Sequence, residues 1–302
     1  MTQSTAPRSA GADVVAGRLL RSSERLSLDP TTEVDWDAPL DRSLPAMPLE
    51  RVSLHGTPLW ESMTQEQRVQ LSWHEFASIA SVGLWFELCL MQALLRHAYD
   101  RDPHAAHAQY ALTEVGDETR HSIMFARAAD ALAPGARYRP SPLVHLLGRA
   151  WKTVASGPAM FASVLVAEET LDRLQREVLD ADGLLPLAVQ VSRVHVTEEA
   201  RHVSYARSAV ARQVPKLGPV ARRGHALATA LTSAFVVHSF LDPRVYEAVG
   251  LDRHEAVRQA RGNPQLHETR LWMAEKVLAF LAENGMVPRP VDRVWRRLHL
   301  LR

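Results

Sequence analysis

Two five-residue segments of this chain read acid–Glu–x–Arg–His. They are Asp117-Glu118-Thr119-Arg120-His121 and Glu198-Glu199-Ala200-Arg201-His202. A single Glu-x-x-His says little: with 14 His in 302 residues, about one such match is expected by chance. Two matching five-residue copies are a different matter. On a helix, positions i and i+3 share a face, with Cβ atoms about 5–6 Å apart. A carboxylate and an imidazole so placed can grip one cation together. Glu-x-x-His from each of two helices, with one Glu from each of two others, is the pattern by which helical bundles hold two metal ions.

Two further carboxylates are therefore expected. Glu87 lies in Gly83-Leu84-Trp85-Phe86-Glu87-Leu88-Cys89-Leu90-Met91, where an acid needs a partner to be buried without large cost. Glu75 is the alternative, among more mixed neighbours. A later helix offers Glu168 and Glu169. Glu168 shares a face with Val164, Leu165 and Leu171, so it is expected to point inward. Glu169 shares one with Asp172, Arg173 and Arg176 and reads as solvated or arginine-paired. His195 precedes Glu199 by four positions and His202 by seven, which puts all three on one stripe and makes His195 a further ligand candidate. Asp117 and Glu198 are expected to orient the ligand imidazoles, with Arg120 and Arg201 balancing their charge.

These residues need long helices to carry them. The pattern of starts and stops predicts helices near 64–100, 104–132, 142–181 (with a break at Gly157-Pro158), 185–213, 217–239, 243–260 and 264–285. Thr64 with Gln67 has the form of a capping box. No segment alternates as a strand does. The expected fold is all-α, a ferritin-like four-helix bundle with additional helices, occupying residues 61–302. Residues 1–60, rich in Pro, Ser, Asp and Thr, read as an extended arm, disordered over about the first 15. The apolar Trp36, Leu44, Met47, Leu54 and Trp60 should hold the rest of the arm against the body.

Composition removes several classes. The net charge of +1 gives no electrostatic reason to bind nucleic acid or an anionic membrane. The lone Cys89 forbids an internal disulfide and suits a reducing cytoplasm. No continuous apolar run of membrane-spanning length and no secretory leader are read, so a cytoplasmic protein is expected.

The order Glu87, Glu118, His121, Glu168, His195, Glu199, His202 resembles the di-iron N-oxygenases typified by p-aminobenzoate N-oxygenase, a family whose site adds a third histidine to four glutamates and two histidines. His195 matches that extra ligand. Asp35-Trp36-Asp37-Ala38-Pro39 and Gly56-Thr57-Pro58-Leu59-Trp60 are similar to the family too, and the resemblance runs over about residues 25–285. It implies a metal site of these seven residues holding two iron ions, and an enzyme that activates O₂ to oxidise a small-molecule amine, often an arylamine, toward hydroxylamine, nitroso or nitro product. No glycine-rich dinucleotide motif is present, so an external electron donor, a reductase, is expected. A homodimer is expected on general frequency alone. Three rival readings share the ligand set: a ferroxidase, a hydroxylase or desaturase acting on carbon, and a manganese or zinc site. Candidate cavity-lining positions one turn from the ligands are Gly83, Leu84, Met91, Phe125, Val164, Leu165, Leu171 and Val191.

Overall fold

The computed structural model describes residues 10–302. Thirteen α-helices follow one another among the described residues: α1 (Ala10–Leu26), α2 (Pro30–Glu33), α3 (Pro58–Ser62), α4 (Gln65–Tyr99), α5 (Ala106–Leu132), α6 (Pro142–Val154), α7 (Gly157–Asp180), α8 (Pro186–Gln213), α9 (Pro219–Ser239), α10 (Arg244–Glu247), α11 (Arg253–Arg261), α12 (Pro264–Glu283) and α13 (Asp292–Arg297). No strand occurs among the described residues. This is the all-α, ferritin-like architecture.

The bundle is built from two helical hairpins. α4 packs along α5 and α7 along α8, and α5 meets α8 across the centre. Three of the four long helices begin with a cap or a first-turn proline, whereas α5 starts after Ala105 with neither. Thr64 accepts from Gln67 N at 3.2 Å while Gln67 Oε1 accepts from Thr64 N at 3.0 Å, a complete capping box on α4. Pro158 and Pro186 stand in the first turns of α7 and α8, where a missing N–H costs nothing. The predicted break falls at Gly157, whose φ of +59° turns α6 into α7.

The N-terminal region differs from the extended arm expected. Residues 10–26 form α1, which lies across α5 and α8. Its buried stripe is Ala16, Leu19 and Ser23, with Val15 and Leu20 packed beside it, and arginines and serines fill the opposite side of an amphipathic helix. Of the disorder expected over about the first 15 residues, the part at 1–9 lies outside the described residues, and residues 10–15 are helical instead. From Leu28 to Trp60 the chain runs over the body with only short helical turns, α2 and the start of α3 among them. Trp73 Nε1 donates to Leu44 O at 2.8 Å. Leu185 N donates to Pro45 O at 2.8 Å. Arg127 sits 4.1 Å over the Trp36 ring. Met47, Leu54 and Trp60 are buried.

The segment expected as one helix over 243–260 is two, α10 and α11, because Gly250 takes φ +80° between them. By length and apolar composition Gln65–Tyr99 and Pro219–Glu247 reach what a membrane span needs, which the sequence reading did not find. Both segments mix Ala, Ser and polar residues among the larger apolar ones, so neither is a continuous apolar run. More than half of the first window is buried in the protein, and that helix carries Glu75 and Glu87 in its interior face, as a core helix does.

Candidate metal centre

Seven expected residues meet in the middle of the bundle. Glu87 comes from α4, Glu118 and His121 from α5, Glu168 from α7, and His195, Glu199 and His202 from α8; none is more than 2% exposed. Glu118 stands between two imidazoles, with Oε2 at 2.8 Å from His121 Nδ1 and Oε1 at 2.9 Å from His202 Nδ1. Glu199 does the same with one oxygen: Oε1 lies 2.9 Å from His202 Nδ1, 3.5 Å from His121 Nδ1 and 3.5 Å from His195 Nε2. His195 Nε2 is 3.7 Å from Glu87 Oε1. Donor atoms of Glu87, His121 and His195 fall within 4.8 Å of one another, as do those of Glu168, His195 and Glu199. His121 and His202 thus mark two neighbouring positions, with Glu118 and Glu199 between them.

The outer nitrogens are held in a crossed arrangement. His121 Nε2, on α5, faces Glu198 Oε2 of α8 at 2.9 Å; His202 Nε2, on α8, faces Asp117 Oδ2 of α5 at 3.1 Å. An ionised carboxylate only accepts, so each Nε2 carries a proton and each Nδ1 is the nitrogen turned to the centre, where its lone pair becomes available to a cation once its own proton is displaced. Arg120 and Arg201 both reach Asp117 and Glu198. Leu28 N donates to Glu198 at 3.0 Å, and Arg201 donates to Leu26 O at 3.2 Å, so the turn after α1 closes this layer from outside. His195 is set the other way round. Its Nδ1 donates to Gln175 Oε1 at 2.7 Å, leaving Nε2 toward the centre.

Electrostatics follow from this packing. Burial, then Glu118, Glu168 and Glu199, push the Glu87 carboxyl well up. Burial, then Glu199, do the same to Glu168. Burial opposes charge on His121, but Glu118 and Glu198 lift it to about 9; His202 is raised by Glu199 and Glu118 against the same burial. His195, with burial and His121 both against it, stays neutral. Glu87 Oε2, Glu168 Oε1, Glu199 Oε2 and His195 Nε2 have no hydrogen-bond partner. Buried polar atoms are rarely left so. Two donors about 2.1 Å from one cation and at right angles to each other stand about 3 Å apart, which is the spacing of the carboxylate and imidazole atoms here. The donor set fits divalent first-row metals.

The alternatives separate by contact. Glu169 pairs with Arg207, at the outer edge of α7. Glu75, also buried, accepts from Ser53 N at 3.0 Å and from Ser53 Oγ, away from the centre. Of the proposed lining positions, Gly83, Phe125 and Leu171 border a cavity of about 20 Å³ together with Met47, Phe76 and Gln175, and the Phe125 ring lies 4.9 Å from that of His195. Leu84 borders a surface groove instead, Met91 touches Thr119 on the outer side of the α4–α5 pair, and Val164, Leu165 and Val191 are packed core. Two residues were missed. Gln175 carries no sequence signal, being a lone amide 20 positions from His195. Glu114 is 1% exposed and has a carboxylate oxygen within 4.8 Å of donors on Glu118 and His202. Its signal was available: it precedes Glu118 by the same four positions by which His195 precedes Glu199.

An all-α bundle that buries carboxylates and imidazoles from four helices at one centre belongs to the ferritin-like class of carboxylate-bridged metalloproteins. Within it, residues 10–285 match the family of p-aminobenzoate N-oxygenase AurF, and the chain belongs to that family. It is also similar to an uncharacterized protein of Mycobacterium tuberculosis (strain CDC 1551 / Oshkosh), 29% identical over 297 residues covering 92% of this chain and 84% of the relative. A counterpart from Mycobacterium bovis is 28% identical over the same shares.

Proposed function

We propose that the chain is a di-iron N-oxygenase that oxidises the nitrogen of a small amine, an arylamine being the best fit. The observation that carries the reading is the meeting of Glu87, Glu118, His121, Glu168, His195, Glu199 and His202 in one buried place, in a chain of this family. On this reading Glu87, His121 and His195 would hold one iron and His202 the other, with Glu118, Glu199 and Glu168 completing the donor set. Two irons, when bound, supply the place where O₂ is reduced. One oxygen atom goes to the amine nitrogen and the other leaves as water, with two electrons and two protons from an external reductase.

The protein's own residues bind, orient and exclude water. Asp117, Glu198 and Gln175 keep three imidazoles in the tautomers that face inward. The cavity beside His195 is lined by Met47, Phe76, Phe125 and Leu171, without a charged side chain. A neutral arylamine can enter such a lining, whereas an ammonium or carboxylate would be stripped of water without compensation. At about 20 Å³ the cavity holds about one water, so an arylamine enters only as the lining side chains move apart. We place the enzyme in the cytoplasm, as a homodimer, with its reductase as a separate partner.

The test is iron content after growth in iron-rich medium, then exposure of the reduced protein to O₂ with and without a panel of neutral arylamines. About two irons per chain and amine-dependent hydroxylamine or nitroso product are expected. O₂ uptake indifferent to every amine would favour a ferroxidase. Oxygen found on carbon would favour a hydroxylase.

A further inference from the structure

We infer that Glu114 is an additional metal ligand of this centre, serving the ion beside His202 as His195 serves the ion beside His121. The inference rests on the two-metal reading above and extends it by one side chain.

The acid–Glu–x–Arg–His repeat is longer than five residues. On α5 the series is Glu114, Asp117, Glu118, Arg120, His121; on α8, at a constant offset of 81, it is His195, Glu198, Glu199, Arg201, His202. The structure turns this repeat into a two-fold arrangement. Glu118 and Glu199 both contact both imidazoles. Asp117 and Glu198 each hold the imidazole of the opposite helix. His195, one turn before Glu199, reaches across to His121: their rings are 4.8 Å apart, and their donors share a position with Glu87. The residue in the same place on α5 is Glu114. It reaches across in the same sense, to His202, with which it and Glu118 form a set of donors within 4.8 Å.

Glu114 also lacks any other occupation. It is 1% exposed, and its Oε2 has no hydrogen-bond partner. No arginine or lysine pairs with it among the described residues, whereas Glu169, Glu177 and Asp242 each have an arginine. An acid placed at a helix interior with no cation of the protein's own is costly, and the nearest place for a cation is beside His202. A carboxylate at this position rather than a second extra imidazole makes the two metal positions unlike: one faces two imidazoles, the other one imidazole and one more carboxylate.

The experiment is titration of the metal-free full chain with Co²⁺, followed by its visible absorption and by calorimetry, for the native protein, Glu114→Gln and Glu114→Leu. Glu114→Gln keeps the shape of the side chain, and Glu114→Leu removes the buried charge, so at least one is expected to fold, as judged by far-ultraviolet circular dichroism. The native protein should bind two ions per chain. In both variants one binding event should weaken by about tenfold or more, the other should stay as it is, and the Co²⁺ spectrum of the weakened site should change. Two undisturbed events with an unchanged spectrum in a folded variant would overturn the role of Glu114. Failure of the native protein itself to bind two ions would overturn the two-metal reading instead, so the outcomes are distinct.

Discussion

The two Nε2–carboxylate contacts decide which nitrogen each bundle histidine offers inward. Asp117 does this for His202 while also accepting from Arg120 and Arg201. An asparagine there cannot serve three donors with one oxygen, so its amide would turn an N–H toward either an arginine or the imidazole. For Asp117→Asn we expect metal affinity to fall about 10- to 100-fold, with the helical circular dichroism retained. Glu198→Gln should do the same to the site of His121. Metal binding and turnover unchanged in Asp117→Asn would end the idea that this layer orients the ligands. At this scale the sequence was largely legible, because helical spacing alone puts Glu118 with His121, Glu199 with His202, and Glu168 rather than Glu169 on an inward face. Gln175 was not legible, since an amide on one helix acquires its meaning only from the imidazole that another helix brings to it. Glu114 was legible in principle, one turn upstream of where the repeat was cut off.

Capping residues or prolines announced α4, α7 and α8, but they also stand at the starts of α2 and α3, which are too brief to show a periodic face. α1 buries Ala16, Leu19 and Ser23 with Val15 and Leu20 beside them, an apolar stripe opposed by arginines and serines that was legible in the sequence, while its place across α5 and α8 was not. α6 is held differently, by a close approach. Gly148 lies against the Trp85 indole, and a Cβ there would come within 2.3 Å of Trp85 Cζ2. Trp85 is two residues from Glu87, so the α4–α6 contact backs the helix that carries a ligand. Gly148→Ala removes a flexible residue from a helix interior, which alone would stabilise by about 0.5–1 kcal/mol. The clash with the Trp85 ring, which is tied by its Nε1 to His145 at 3.2 Å, should outweigh that, for a net loss of about 1–3 kcal/mol in chemical denaturation. Gly116, with open space around its would-be Cβ, is the control: Gly116→Ala should be neutral or stabilising. Equal stability of the two variants would show that Trp85 swings aside freely.

Taken as one body, the bundle encloses five carboxylates, Glu87, Glu114, Glu118, Glu168 and Glu199, around three imidazoles. Without cations, burial and mutual repulsion raise Glu87, Glu114 and Glu168 well above the usual carboxylate range, so the metal-free fold prefers them protonated. Their unfolded value is 4.5. As pH rises past that value the unfolded chain releases protons that the metal-free fold retains, and the metal-free fold loses stability until its own raised values are passed. Metal binding works in the opposite sense, because it requires these carboxylates ionised and drives their protons off. The gap in Tm between metal-loaded and chelator-treated protein should therefore widen from pH 5.5 to pH 8. With free metal at a hundredfold its Kd, two sites contribute about 5 kcal/mol, a gap on the order of 10 °C for a domain of this size. Calorimetry of both forms across that range checks it, with proton release on binding read from the dependence of the binding enthalpy on buffer. A gap that stays constant or narrows with pH would mean that these acids do not meet the metal, and that the bundle interior is held by the imidazole–carboxylate pairs alone.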